Sequence, residues 1–266
     1  TVDGQGYRWW WHVILGGHDN RPKLLVAESS SDIALTDVHF RNSPKFHVYM
    51  KAVKNVVIDR VTVHVDVEAQ QQLLAKRPGY LAPTSLGNGR HKWSLPIFPL
   101  NTDGIDVAGH DITIRHCHVE NFDDAYCVKP LALHGDAAKN NGLRCTQNFL
   151  VEHSTVKYGL GASVGSVPPH TDVNCIRNVT FRNISFDSPV KAVYVKPDPA
   201  LKPSEVNGSG IIDRVTYEDI TVKHALMWSI FVTTQQQAQP GKGTHTGCSF
   251  LFPLPGTKCP PVPQVP

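Results

Sequence analysis

Residues 101–129 read NTDGIDVAGHDITIRHCHVENFDDAYCVK, and this stretch holds both the strand pattern and the acidic residues that organise the chain. Its central segment, DITIRHCHV from Asp111, alternates apolar and polar residues on either side of a polar pair. Alternation with a period of two is typical of a β-strand. The polar pair in the middle predicts a bend between two short strands.

The same pattern occurs six times along the chain. The copies are DIALTDVHF from Asp32, NVVIDRVTV from Asn55, DITIRHCHV from Asp111, NFLVEHSTV from Asn148, NVTFRNISF from Asn178 and RVTYEDITV from Arg214. Short recurring strands without helices between them cannot each bury a face alone, but stacked coils bury a continuous core. The repeat therefore predicts an all-β fold, a parallel β-helix. We expect twelve side chains to point inward: Ile33, Leu35, Val56, Ile58, Ile112, Ile114, Phe149, Val151, Val179, Phe181, Val215 and Tyr217.

A third apolar segment accompanies each copy and predicts a third strand in each coil. These segments are FHVYM (46–50), GIDV (104–107), AYCVK (125–129), GASVG (161–165), AVYVK (192–196) and WSIFV (228–232). We expect them to form one parallel sheet. Asp103 precedes one of these strands, and Asp123 and Asp124 precede the next, so all three carboxylates should meet at the edge of that sheet.

Converging carboxylates repel each other when ionised, so the pKa of at least one of them should rise. One protonated and one ionised carboxyl can cleave a glycosidic bond, because one supplies an acid for the leaving oxygen and the other a base for water. Asp103, Asp123 and Asp124 are therefore candidate catalytic residues. The alternative is that they are ordinary turn residues, since Asp and Gly are common in turns.

Composition narrows the class of protein. The 266 residues carry a net charge of +3 and contain no run of Lys and Arg, so a nucleic-acid partner is not expected. No apolar stretch approaches the ~20 residues that span a bilayer, so no membrane span is expected. The six cysteines include no CxxC pair, which argues against zinc, and we expect neither a metal nor a cofactor.

An even cysteine count together with three sequons is typical of a secreted, disulfide-containing glycoprotein. The sequons begin at Asn178, Asn183 and Asn207. The expected bridges are Cys127–Cys145 and Cys248–Cys259. Cys117 occupies an inward position of the repeat, so it is expected to be a buried free thiol.

We expect a single β-helix domain over 1–266 that lacks the terminal coils of a longer chain. Residues 66–100 are expected to form a loop insertion, which is either a wall of the cleft near Asp103 or a plain surface excursion. Residues 235–266 are rich in Pro and Gly and predict an irregular, disulfide-clipped segment.

Several pieces of the sequence resemble the polygalacturonase (pectinase) family of glycoside hydrolases, in the family's order and over nearly the whole chain. They are DGQGYRWW (3–10), RP (21–22), NSP (42–44), NTDG (101–104), DD (123–124) and ASVGSV (162–167). The resemblance implies a right-handed parallel β-helix and an inverting hydrolase of α-1,4-linked galacturonan or a related polysaccharide.

The resemblance also implies roles for individual residues. Asp123 would be the general acid, while Asp103 and Asp124 would activate water, with the opposed carboxylates roughly 6.5–9.5 Å apart. The substrate-binding residues would be Asn101, Lys196 and Tyr194.

Two departures from the family pattern leave the activity open. Leu160 stands where the family has a His, and Tyr194 stands where it has the Arg that grips the substrate carboxylate together with Lys196. A lone Lys does not replace the bidentate grip of an Arg. A third difference is Phe122, which stands where a glycine is usual.

Three explanations follow. The enzyme acts on a less acidic polymer with Tyr194 as a stacking platform, it recruits another cation such as His170, or it is a weakened module. Such a module would bind carbohydrate or assemble with other extracellular proteins.

Overall fold

The computed structural model describes residues 1–14, 19–66, 69, 99, 101–131, 142–167, 173–197 and 209–233. These residues form one helix, α1 (Tyr7–Ile14), and fifteen strands. The strands are β1 (Val2–Asp3), β2 (Leu25–Glu28), β3 (Ser31–Thr36), β4 (His39–Arg41), β5 (Val48–Asp59), β6 (Thr62–His64), β7 (Ile105–Arg115), β8 (His118–Asn121), β9 (Tyr126–Val128), β10 (Cys145–Tyr158), β11 (Ala162–Val167), β12 (Val173–Asp187), β13 (Lys191–Pro197), β14 (Ser209–Lys223) and β15 (Trp228–Val232).

The strands pair in parallel and belong to one continuous sheet that winds through successive coils. The inner apolar side chains stack from coil to coil and form one core. The predicted all-β, parallel β-helix fold is confirmed. No helix among the described residues is long and apolar enough to cross a bilayer.

The six copies of the sequence pattern lie in register. Their first apolar positions form one row of cross-strand neighbours, Ile33, Val56, Ile112, Phe149, Val179 and Val215. The middle members of this row are buried, and the two outermost, Ile33 and Val215, are partly buried against the same core. The inward positions predicted from the alternation are therefore confirmed.

The polar pair separates two strands, as predicted, in the first three copies, whereas β10, β12 and β14 each run through it as one strand. The second residue of the pair has a positive φ in every copy, between 49° and 57°, at Asp37, Arg60, His116, His153, Asn183 and Asp219. The opening polar residue of each copy is also left-handed. A left-handed residue turns the chain without interrupting the stacking of neighbouring coils, and short polar side chains such as Asn and Asp tolerate it best.

Equivalent polar residues of adjacent coils also stabilise these turns through hydrogen bonds between their side chains. Asn55 Nδ2 donates a hydrogen bond to Asp32 Oδ1 at 3.0 Å, and Asn178 Nδ2 donates to Asn148 Oδ1 at 2.9 Å. Asn178 and Asn183, two of the predicted glycosylation sites, are exposed on β12. Their modification stays a prediction.

The predicted third strands form the sheet that supports the acidic residues. It consists of the first part of β5 and β7, followed by β9, β11, β13 and β15. Its inner face contributes Ile105 and Val107 to the core. Its other face carries a row of cross-strand neighbours: Tyr49, Asp106, Cys127, Ser163, Tyr194 and Phe231.

The expected bridge between Cys127 and Cys145 is wrong. Cys145 is bonded to Cys175, its register partner on the adjacent coil, and the two Cα atoms lie 4.7 Å apart. Cys127 is a buried free thiol on β9. Cys117 is also free and buried, as its inward position predicted.

Several other expectations fall outside the described residues. They concern most of the 66–100 insertion, the 235–266 segment, the Cys248–Cys259 bridge, Asn207 and His170.

Candidate active site

Three carboxylates converge where the third strands begin. Asp103 lies in the turn before β7, and Asp123 and Asp124 lie in the turn before β9. One oxygen of each carboxylate lies within 4.8 Å of the others, and the residues are 3%, 5% and 1% exposed. The two turns come this close because position 104 is a glycine, where an added Cβ would lie 2.4 Å from the Ala125 carbonyl oxygen.

The 4.8 Å limit joins single oxygens, whereas the expected distance of roughly 6.5–9.5 Å is a spacing between whole carboxyl groups, so that spacing stays a prediction. The chemical environment of each carboxylate must therefore decide its role.

Asp124 is held as an anion by two lysines. Lys196 Nζ contacts its Oδ2, Lys129 Nζ lies 3.6 Å from the same oxygen, and Ser163 Oγ donates a hydrogen bond to Oδ1 at 2.6 Å. Burial alone would raise the pKa of Asp124, but the ammonium groups of Lys196 and Lys129 outweigh it and hold this pKa well below its usual range.

Asp123, the adjacent residue, has the opposite shift. Burial, followed by repulsion from the Asp124 carboxylate, raises its pKa to about 6. Its Oδ1 accepts a hydrogen bond from the Asp124 backbone N–H at 2.9 Å, and its Oδ2 lies 3.4 Å from Asn101 Nδ2. Asp123 can therefore hold a proton under mildly acidic conditions.

Asn101 is itself held in place from another coil. Arg21 Nη2 donates to Asn101 Oδ1 at 2.8 Å, and Arg21 Nε donates to Asp19 Oδ1 at 2.8 Å. Lys45 Nζ also donates to Asp19, so this carboxylate bridges two cations. Arg21 thereby orients the side-chain amide of Asn101 that faces Asp123.

Asp103 has one free oxygen. Within the ranges that the structure describes, its buried Oδ1 has no hydrogen-bond partner. Burial, and then repulsion from the carboxylates of Asp123 and Asp106, raises the pKa of Asp103 well above its usual range. Since Asp103 and Asp123 titrate as neighbours, they are best described as a pair that shares a proton.

A buried histidine fixes the backbone at Asp103. His47 Nε2 accepts a hydrogen bond from the Ser43 backbone N–H at 3.2 Å, so its Nδ1 carries the proton and donates to the Asp103 carbonyl at 2.9 Å. Burial lowers the pKa of His47 to about 4. The ring is therefore a neutral structural group under conditions where Asp123 titrates.

A second ion pair, absent from the sequence-based prediction, lies beneath the three aspartates. Lys129 Nζ is 3.3 Å from Asp106 Oδ2, and both side chains emerge on the outer face of the sheet. Burial raises the pKa of Asp106 and the Lys129 ammonium opposes this effect. Lys129 therefore links Asp106 to Asp124.

The sequence did contain signals for this pair. Asp106 lies between Ile105 and Val107, whose side chains point inward, so strand alternation places its carboxylate outward. Lys129 ends AYCVK just as Lys196 ends AVYVK, which puts a lysine at the same place in two coils.

The turn that contains Leu160 supports Asp123 through its backbone. Leu160 N–H donates to the Asp123 carbonyl at 2.8 Å. Gly159 has a φ of +66°, and an added Cβ would lie 2.4 Å from Asn121 Oδ1. Leu160 offers no titratable group, so burial and Asp124 are the main causes that keep a proton on Asp123.

The three residues predicted to bind substrate all lie at this site, each with a protein contact. Asn101 faces Asp123 and Lys196 contacts Asp124. Tyr194 is fully buried, and Lys191 Nζ lies 3.8 Å from its ring centroid. A sugar face therefore cannot stack on Tyr194 in this conformation.

The carboxylates of Asp103, Asp123 and Asp124 are also the group, among the described residues, whose spacing would suit a bound cation. The ammonium groups of Lys129 and Lys196 already lie against Asp124 and supply positive charge there.

The chain is similar in sequence to fungal polygalacturonases. Over 247 residues, the chain is 24% identical to a probable endopolygalacturonase A from Aspergillus fumigatus, which covers 92% of this chain and 54% of that protein. It is 25% identical over 248 residues to endopolygalacturonase A from Aspergillus niger, covering 92% and 53%. The chain thus spans about half the length of these curated relatives.

Solved structures show the same fold. A polygalacturonase from Erwinia carotovora matches with a TM-score of 0.60 and 20% identity, over 87% of this chain and 50% of that one. An endo-xylogalacturonan hydrolase from Aspergillus tubingensis matches with a TM-score of 0.59 and 21% identity, over 84% and 49%. The family described as Glycosyl hydrolases family 28 matches residues 1–249, and the chain therefore belongs to this family of pectin-type glycoside hydrolases.

Proposed function

We propose that this protein hydrolyses a pectin-type acidic polysaccharide by a single displacement. Asp123 gives its proton to the glycosidic oxygen as the bond from that oxygen to the anomeric carbon breaks. Water attacks the same carbon, and its proton passes to a carboxylate. The observation that carries the proposal is the different environment of two adjacent carboxylates: Lys196 and Ser163 contact that of Asp124, whereas Asn101 faces that of Asp123. This difference shifts the pKa of Asp123 upward and that of Asp124 downward.

Asp103 and Asp124 are suited to hold the attacking water. The free Oδ1 of Asp103 can accept a hydrogen bond from it, as judged among the described residues. Asp124 is ionised at any pH where Asp123 titrates. When the shared proton is on Asp123, Asp103 is ionised. Because its pKa is raised, Asp103 is then a stronger base for the water than Asp124.

One cation of the site is available to an acidic substrate. The ammonium groups of Lys129 and Lys196 are paired with Asp124, but among the described residues Lys191 forms no ion pair with a carboxylate. An unpaired ammonium attracts carboxylate-bearing sugars. The relatives named endopolygalacturonase and endo-xylogalacturonan hydrolase are enzymes of such polymers, and they support this substrate class.

An extracellular location belongs to the same proposal. The Cys145–Cys175 bond is of a type that persists in oxidising compartments. The exposed sequons at Asn178 and Asn183 would be accessible to glycosylation on the way out of the cell.

The proposal is tested by measuring new reducing ends on a panel of pectic and neutral polysaccharides. Wild type is compared with Asp123→Asn, and with Asp213→Asn as a control that removes a carboxylate from the partly exposed Arg177 pair on β14. We expect wild type and the control to cleave an acidic polymer. Asp123→Asn should lose this activity by about 10²-fold or more, the factor typical of a lost general acid.

A non-catalytic role is the second candidate. Leu160 and Tyr194 favour it because they stand where the polygalacturonase family has a His and an Arg. In that case the folded protein would bind an acidic polysaccharide and release no reducing ends from any polymer. Equal rates in wild type and Asp123→Asn would likewise contradict the hydrolytic proposal.

A further inference from the structure

Lys191 is a buried cation held between aromatic rings beside the aspartates. It is the first residue of β13, and its Nζ lies 3.8 Å from the Tyr194 ring centroid and 4.5 Å from that of Phe231. Trp228 is the register partner of Lys191, and its ring stacks on Phe231 with centroids 4.5 Å apart. The rings stabilise the ammonium by cation–π contact.

The Lys191 ammonium is not paired with a carboxylate in the described part of the chain. It forms no ion pair and no side-chain hydrogen bond there, and it lies over the two rings. Burial lowers the pKa of Lys191 to about 8, against the attraction of Asp124 and Asp123. Among the described residues, the side chain is therefore a partly desolvated cation without a carboxylate in direct contact.

The exposure of Lys191 matches that of the groups that must meet substrate. The residue is 4% exposed, compared with 3% for Asp103 and 5% for Asp123. Lys191 is therefore no more enclosed than the carboxylates of the proposed reaction.

Lys196 is less suited to bind a substrate anion. Its ammonium contacts Asp124 Oδ2, so that charge is already paired. Tyr194 occupies the position where the family has an arginine, and it carries no positive charge. The cation above its ring, three residues earlier in the sequence, restores a charge next to that position.

We propose that the Lys191 ammonium, held over the rings of Tyr194 and Phe231, is the receptor for the carboxylate of a uronate unit next to the cleaved bond. Lys191 then determines the preference for free acid over ester or neutral sugar. This inference rests on the proposed function for its substrate class, and it assigns that recognition to one residue. Tyr194 becomes a positioning residue for Lys191.

The test measures binding in the Asp123→Asn background, so that turnover does not interfere. The ligands are trigalacturonate and its methyl-esterified form, which differ in the charge of the carboxyl groups. We expect the free acid to bind more tightly, and Lys191→Met to weaken its binding by about tenfold or more, since a charged hydrogen bond is lost. Binding of the ester should change little.

Matched variants separate charge from packing. Lys191→Arg retains a cation that can stack on the rings and should keep most of the preference for free acid. Lys54→Met removes the same charge from β5, where the register partner of Lys54 is His110, and it should leave both affinities unchanged. If Lys191→Met does not fold, Lys191→Gln and the shift of the Lys191 ammonium NMR signal on titration with trigalacturonate provide the same answer.

The outcomes for this inference and for hydrolysis are distinguishable. A Lys191-dependent preference for free acid without any hydrolysis would support the receptor and contradict the enzyme. Equal affinities of the Lys191→Met and parent proteins for trigalacturonate would overturn the receptor, even if polymer cleavage is observed. Failure of the Asp123→Asn protein to bind trigalacturonate would also overturn it.

Discussion

Lys196 and Asp124 lie 72 residues apart in the sequence, and they form a buried ion pair in the floor of the site. The pair separates the charge states of two adjacent aspartates. Asp124 receives the ammonium of Lys196 and remains ionised, while Asp123, without such a contact, retains a proton to a pKa of about 6. Two neighbouring residues of the same type thereby acquire different charge states, as the proposed reaction requires.

Replacing Lys196 should therefore impair the reaction step more than substrate binding. In Lys196→Met the pKa of Asp124 rises, because Lys129 at 3.6 Å is then its remaining ammonium. We expect kcat to fall on the order of 10²-fold, and the acidic limb of the kcat–pH profile to move to higher pH. Lys196→Arg should retain part of the rate.

The contrary result would be a raised KM with unchanged kcat and an unchanged pH profile. That pattern marks loss of uniform substrate binding. Lys196 would then be a substrate ligand, as the family resemblance implies, and its contact with Asp124 would have no catalytic consequence.

The three aspartates could be found from sequence because local patterns placed them at the same end of neighbouring strands. The cations were harder to find. Lys129 and Lys191 are recognised as site residues by their contacts with other coils. Lys129 contacts Asp106, and Lys191 lies over the ring of Phe231. Strand alternation gives the face of a side chain, but it does not give its partner on another coil.

The fold itself was predictable because the apolar alternation repeats at the same place in every coil. The disulfide illustrates what was overlooked. Cys145 and Cys175 each lie three residues before a copy of the repeat, at Asn148 and Asn178, so coil stacking makes them neighbours. The register of the repeat determines the pairing. The shorter sequence distance between Cys127 and Cys145 was therefore a poor guide to the bridge.

The reaction should be fastest under acidic conditions. Asp123 acts as an acid only when protonated, and its pKa of about 6 means that the proton is lost as the pH rises through this value. We expect kcat on the best polymer to fall about tenfold per pH unit well above pH 6. A rate that stays constant to pH 8 would contradict the assignment of Asp123 as the acid.

Asp103→Asn should make the protein more stable at neutral pH while abolishing activity. The pKa of Asp103 in the folded state is raised, so its stabilising contribution is present at low pH and is lost as the pH rises through the folded pKa. An amide avoids that loss. We expect Tm to increase by a few degrees at pH 8, where about 1 kcal/mol corresponds to ~2–4 °C, and to change little at pH 4.

A matched control is Asp213→Asn, which removes a partly exposed carboxylate that pairs with Arg214 at 3.1 Å. It should not raise the Tm at pH 8. If Asp103→Asn lowers Tm equally at both pH values, the carboxyl at this site does not carry the electrostatic penalty that its burial implies.

The Cys145–Cys175 bond should contribute measurably to stability because it closes a separation of 30 residues. A loop of that length corresponds to about 3–4 kcal/mol by loop-closure entropy. The double variant Cys145→Ala/Cys175→Ala should therefore unfold at lower denaturant than wild type. Reductant should destabilise wild type more than the double variant, and Cys117→Ala should still respond to reductant.

Hydrolysis should proceed with inversion at the anomeric carbon. One oxygen of each carboxylate lies within 4.8 Å of the others, so the alternative is a covalent glycosyl carboxylate, as in enzymes that retain configuration. Asp124, however, has Ser163 Oγ on one oxygen and Lys196 Nζ on the other, and its pKa is low. Such a carboxylate is a poor nucleophile, but it can accept a hydrogen bond from the attacking water and position it.

Proton NMR of the first product formed distinguishes the two courses. An α-linked polymer should yield the β-anomer first, which then mutarotates to the equilibrium mixture. Initial release of the α-anomer, together with a glycosylated Asp124 peptide in mass spectra of rapidly quenched enzyme, would contradict the single displacement. The oxygens of Asp124 would then have to leave Ser163 and Lys196 during turnover, and the ion pair would be a resting-state contact.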